Sequence, residues 1–128
     1  MQSIPKADIL KACEAMLRKQ LYVIFTKPAN GMEPIMAVLK EHLDFQSDLE
    51  RRGIMFGAGP MWNDAEDAWE GEGMVVVRAS SLAEAKSIAA SDPMHKAGAR
   101  SFTVRPWLIN EGTLTIKLSY SDGKFDII

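Results

Sequence analysis

Met74-Val-Val-Val-Arg-Ala-Ser-Ser-Leu-Ala-Glu84 passes from one kind of local order to another within a few residues. Met74–Ala79 reads as a strand, and its continuous apolar run from Met74 to Val77 asks for cover on both faces. Ser81 and Glu84 then stand at capping-box spacing. The helix they open carries Leu82, Ala85, Ile88 and Ala89 and should stop before Pro93, because the residue ahead of a proline avoids helical geometry.

On the N-terminal side, Leu21-Tyr-Val-Ile-Phe-Thr26 is β-branched and aromatic, the composition of a strand. Pro34 opens a helix running to about Arg52, with Ile35, Val38, Leu39, His42, Leu43, Gln46 and Leu49 on one stripe and Gly53 at the left-handed position that ends it. Ile54–Ala58 is a second strand closed by Gly59-Pro60, and 61–73 reads as an acidic, glycine-containing loop with Trp62 and Trp69 inside it. On the C-terminal side, Phe102–Leu108 is a fourth strand. The order strand, helix, strand, strand, helix, strand over 21–108 is the split βαβ, ferredoxin-like order: an α+β fold with two helices on one face of an antiparallel sheet. The other face then needs a partner, because Val23, Phe25, Met55, Val75, Val77 and Val104 alternate with their neighbours and cannot all point at two helices. A homodimer is expected, with the sheets packed through residues such as Val23, Val75 and Val104, and a higher oligomer is left open.

Residues 6–20 carry Ile9, Leu10, Cys13, Met16 and Leu17 at helical spacing and read as an N-terminal helical extension, with Cys13 a small apolar packing residue. Residues 109–128 read as a C-terminal β-arm around the hairpin signal Asp122-Gly123. The chain of 128 residues is thus read as a single domain over 1–128, with its core at 21–108.

Composition narrows the function. Apolar residues make up 47% and charged residues 25%, and 15 Lys and Arg face 17 Asp and Glu, for a formal charge of −2. Such a balance gives no pull toward nucleic acid or an anionic membrane, and neither is expected as a partner. The lone Cys13 excludes an intramolecular disulfide and a cysteine zinc site. No apolar run approaches the length of a membrane helix, and no apolar signal core follows the N-terminus, so a cytoplasmic location is expected.

His42 shares the buried stripe of Ile35 and Leu49, so its imidazole must either be satisfied by a hydrogen-bond partner in the core or titrate in a cleft. Asp92 stands at an Asp-Pro junction, where it either holds local backbone amides or orients an imidazole. Together the two residues suffice for a general acid–base dyad with no metal and no cofactor. Gly59 and Pro60 suit close backbone approach at a pocket edge, and Trp62 and Trp69 suit a mobile lid over its mouth or a segment packed against the body. His95 is either a surface residue or a second wall of the same pocket. Asp64, Glu66, Asp67, Glu70 and Glu72 lack the positional pattern of a calcium loop and read as a solvated segment.

Tyr22-Val-Ile-Phe25, His42, Gly53, Gly59-Pro60, Ser81-Leu-Ala-Glu-Ala-Lys86, Asp92-Pro93, Ala97-Gly98 and Val104-Arg-Pro-Trp107, taken as an ordered set, resemble the YciI-like (YCII-related) family of small bacterial proteins. The resemblance covers about residues 21–108. It implies a dimeric α+β barrel and an active-site pair at His42 and Asp92. It also implies cofactor-free acid–base chemistry on small organic intermediates of aromatic degradation: dehydrochlorination, or lactone isomerisation as in related barrels. Related barrels also bind haem, but no axial-ligand context stands out beyond His42 and His95. The competing reading is a non-catalytic module that binds a small ligand or assembles with itself.

Overall fold

The computed structural model describes residues 2–128. The chain divides into two compact units, one spanning Gln20–Leu108 and the other made of the residues up to Lys19 together with Ile109–Ile128.

The larger unit holds β1 (Lys19–Pro28), α2 (Glu33–Ala37), α3 (Leu39–Arg51), β2 (Met55–Trp62), β3 (Trp69–Val77), α4 (Leu82–Ala90), α5 (Pro93–Lys96) and β4 (Arg100–Ile109), with α1 (Lys6–Ala12) preceding it in the chain. The four strands form an antiparallel sheet in the order β2-β3-β1-β4, the ferredoxin-like arrangement. Tyr22 and Ile24 of β1, Val75 and Val77 of β3, and Phe102 and Val104 of β4 pack with Ala85, Ala89, Leu82 and Ile88 of α4 in the main core. Val75 and Val104 therefore face the helices and are not available to a second sheet, as the sequence reading had placed them. Strand alternation sends Leu21, Val23 and Phe25 to the other face. That face is only partly open: Leu21, Val23 and Val76 are buried, whereas Phe25 and Trp107 remain 41% and 42% exposed.

The helix predicted from Pro34 to Arg52 is broken at Val38 (φ −118°, ψ 16°) into α2 and α3. It ends as expected. Gly53 takes φ +73°, its N–H donates to the Glu50 carbonyl, and the Ile54 N–H donates to Leu49, which closes a Schellman turn. Ser81 caps α4 by accepting the Glu84 N–H at 3.1 Å, while the Glu84 carboxylate takes the Ser80 hydroxyl. The short helix α5 was not anticipated.

The segment 61–73 is not a long loop. β2 and β3 stay paired out to Trp62 and Trp69, so the connection shrinks to 63–68. Asn63 organises this turn: its Oδ1 accepts the N–H groups of Asp67 and Ala68, and its Nδ2–H donates to Asp67 and Glu70. Trp69 donates its indole N–H to the Glu72 carbonyl at 2.8 Å and is half-buried. Backbone pairing thus replaces the mobile lid read from the acidic composition. Alternating acids and aromatics suit an exposed hairpin as well as they suit a loop.

In the smaller unit, the helix predicted over 6–20 stops at Ala12, with Cys13 as its C-cap. Arg18 takes φ +50° and β1 begins at Lys19, so Met16 and Leu17 are not helical. None of the residues of α1 is buried, so its stripe drives no packing that would extend it. The strands β5 (Ile116–Leu118) and β6 (Phe125–Ile127) form the antiparallel hairpin that Asp122-Gly123 signals, with Gly123 at φ +68°.

Gly71 is a position where only glycine fits. It has φ +92°, and a Cβ there would lie 2.5 Å from Pro28 Cγ and 2.7 Å from Met32 Sδ. Gly71→Ala should destabilise the protein by about 1–3 kcal/mol, read as a lower urea midpoint with an unchanged slope. An unchanged midpoint would refute this packing argument.

Candidate functional site

Asp92 and His42 meet inside the larger unit. Asp92 sits in extended geometry (φ −63°, ψ 128°) ahead of Pro93, the conformation a pre-proline residue favours, and this makes it the N-cap of α5. Its Oδ1 accepts the Met94 N–H at 2.9 Å. Both carboxylate oxygens also face Nδ1 of His42, at 2.9 and 2.8 Å. His42 comes from the middle of α3, and both residues are only 5% exposed. A carboxylate accepts only, so Nδ1 carries the proton and Nε2 presents a lone pair. Gln46, one turn along α3, donates an amide N–H to that lone pair at 2.8 Å. The second ring nitrogen is therefore capped rather than free as the sequence reading expected.

A cavity of about 460 Å³ opens between α3 and the sheet. Leu39, His42, Leu43 and Gln46 line it from α3. Ala58, Gly59, Pro60 and Trp62 line it from β2, Trp69, Glu72 and Gly73 from β3, and Arg100 from β4. Gly59 and Pro60 of the sequence reading are among these lining residues, and Trp62, read there as part of a lid, is a lining residue too. Leu43, read as a stripe residue, is 52% exposed because its side of α3 borders this opening. Asp92 does not line the cavity and stands behind His42.

His95 does not line it either. It is half-buried with its ring 4.4 Å from that of Phe102, and it is neither a surface residue nor a second wall. Its Nδ1–H donates to the Ala89 carbonyl at 2.6 Å, which leaves Nε2 to accept the Thr26 hydroxyl at 2.8 Å. Thr26 is buried and lines the cavity, so its hydroxyl proton is committed to His95 and its oxygen remains an acceptor toward the opening. Thr26, Gln46 and Arg100 went unnoticed as site residues in the sequence. Gln46 follows His42 by one helical turn, a spacing that marks it as an imidazole neighbour. Thr26 and Arg100 carried no local signal. Among the described residues, no group of three or more His, Cys, Asp or Glu side chains is placed to hold a metal ion, the acids of the β2–β3 hairpin included. Among the same residues, no helix is long and apolar enough to cross a membrane.

A family model described as YCII-related domain matches residues 20–108. The chain belongs to the YCII-related family. Among solved structures, it is similar to the 5-chloro-2-hydroxyhydroquinone dehydrochlorinase (TftG) from Burkholderia phenoliruptrix AC1100, solved in complex with 2,5-dihydroxybenzoquinone. The identity is 22% and the TM-score 0.59, over 68% of this chain and 92% of that one. At this identity the likeness establishes the shared fold. No curated protein matches the chain. The matched residues of the YCII-related domain contain every side chain of the cleft, while β5, β6 and α1 lie outside them.

Burial holds the His95 imidazole below its ordinary value of 6.5, against the opposing pull of the bond to Ala89. The folded ring stays neutral where the unfolded one has begun to take a proton. Its stabilising contribution is therefore complete above pH 6.5 and is lost as the pH falls through the folded value. The urea midpoint should drop between about pH 7.5 and about pH 5.5, and His95→Gln should flatten that drop. Equal slopes in the two proteins would show that His95 does not carry the effect.

Proposed function

We propose that the cleft catalyses proton transfer on a small cyclic organic substrate without a cofactor, with His42 as the general base and acid and Asp92 as its orienting partner. The observation that carries this reading is the buried carboxylate on Nδ1, which turns the Nε2 lone pair toward a cavity large enough for a single-ring molecule. In the resting site Gln46 donates to Nε2. Substrate displaces that amide, and a C–H or O–H proton passes to Nε2. The imidazolium is then stabilised by Asp92, and the Gln46 oxygen can turn to accept the new N–H. Two outcomes balance. The proton returns at another atom of the ring, which is an isomerisation, or the electron pair left behind expels chloride, which is a dehydrochlorination releasing one proton and one chloride ion. The similarity to a dehydrochlorinase supports the second route.

The test uses 5-chloro-2-hydroxyhydroquinone with chloride release as readout, and deuterium incorporation from heavy water into lactones and hydroxyquinones. Asp92→Asn keeps an oxygen for the Met94 N–H but offers an amide N–H to Nδ1, so the ring must adopt the other tautomer. Turnover should fall by about 10²–10⁴-fold, and His42→Gln should fall at least as far. Absence of both chloride release and deuterium exchange in the unaltered protein would reject the enzyme reading. The competing reading, a ligand-binding module with a structural His42–Asp92 pair, draws its support from the Gln46 amide already seated on Nε2.

We also propose that the chain acts as a homodimer, as a dimeric α+β barrel, through the sheet face carrying Val23, Phe25 and Trp107. Phe25 of β1 and Trp107 of β4 are large apolar groups left partly in water on one sheet face. Light scattering at micromolar concentration should give twice the 14.2 kDa of one chain. A single-chain mass would reject it.

A further inference from the structure

The cleft holds a cation that the proton-transfer chemistry does not use. Arg100 begins β4, lines the same cavity as His42 and is only 7% exposed. Its Nε is buried with no hydrogen-bond partner, an uncommon state for a guanidinium. Asp92 does not relieve it, because that carboxylate is spent on His42 and the Met94 N–H. Burial lowers the Arg100 pKa and the nearby Asp92 charge raises it, yet an arginine in this setting keeps its charge. Its guanidinium carbon lies 5.8 Å from the centre of the Trp69 ring, which fixes the side chain against an aromatic face. The one acid on the lining, Glu72, is exposed, so water screens it.

We infer that Arg100 is the anion-binding residue of this cleft, and that the ligand is a planar ring compound bearing a carboxylate or a ring-bound oxyanion. A buried Nε–H without an acceptor costs free energy until an anion on the guanidinium supplies one. The remaining walls near it, Leu39, Pro60, Trp62 and Trp69, are apolar or aromatic and suit the body of a ring. An anionic oxygen on Arg100 would hold that ring with a neighbouring atom toward His42. Charge on the oxygen would also be stabilised as a proton leaves the ring, which is the electrostatic contribution a general base cannot supply by itself. The inference deepens the reading of this cleft as the substrate site and rests on it for the ring's orientation, but anion binding itself depends on Arg100 alone.

The experiment titrates the full chain with benzoate, with its neutral isostere benzamide, and with 2,5-dihydroxybenzoquinone. Affinity is read by calorimetry, and the Arg100 side-chain Nε–H signal is followed by NMR. Benzoate or the hydroxyquinone should bind about ten- to a hundredfold tighter than benzamide and should shift that signal. The two anions separate a carboxylate ligand from a ring-oxyanion ligand. Arg100→Met should remove the preference, and Arg100→Lys should retain part of it. Equal affinity for benzoate, the hydroxyquinone and benzamide in the unaltered protein would overturn the inference even if neither variant folds. So would an unshifted Nε–H signal, or failure of both anions to bind. His42→Gln should still bind the anion, and anion binding by the unaltered protein without any turnover would reject the base and leave the arginine site standing.

Discussion

A carboxylate buried as deeply as Asp92 must find a donor for each oxygen, and this requirement ties the site together. One oxygen holds the first turn of α5 through the Met94 N–H, and both hold the imidazole of α3. Removing either partner would strand a charge or a polar group in the core, which costs about 3–5 kcal/mol for a buried pair. Helix position, imidazole tautomer and the direction of the remaining lone pair all follow from that one group. The Asp-Pro junction supplies it cheaply, because the extended backbone proline demands is also the backbone of an N-cap.

Around this point four polar side chains of the cleft are directed. His42, Gln46, Thr26 and Arg100 come from three different elements, and each has its proton or charge assigned by a neighbour or left pointing at the opening. The other walls come from Leu39 and Leu43 of α3 and from glycines, apolar and aromatic side chains and the exposed Glu72 of β2 and β3. The β2–β3 hairpin is therefore a wall of the cleft rather than a cover over it. Its two tryptophans are register partners at the last paired position of the ladder, so backbone pairing runs up to the turn.

The β-strand, capping and C-terminal glycine signals around Leu21–Thr26, Ser81–Glu84 and Gly53 were readable because each depends on a few adjacent residues. The same locality explains the failures. The helix through Val38 was read as continuous because hydrophobic spacing is blind to a single non-helical residue. The extension over 13–18 was read as helical because its stripe looked amphipathic, although nothing buries it. The alternation of Val75 and Val104 was correctly periodic, but periodicity does not say which of two faces the helices occupy.

For the site, the sequence by itself determined the family-type order of elements and singled out His42 and Asp92 as candidates, because an imidazole on a buried helical stripe and an aspartate before proline each need a partner that their own neighbours only partly supply. What the tertiary structure decided was the company they keep. Thr26 and Arg100 reach the cleft from β1 and β4, and His95 turns away to serve Thr26. Trp62 and Trp69 become wall rather than lid. These relations join residues tens of positions apart. No local propensity encodes such distances; they are set by how the sheet orders its strands and by the requirement that each buried donor, acceptor and charge find a partner or face a ligand.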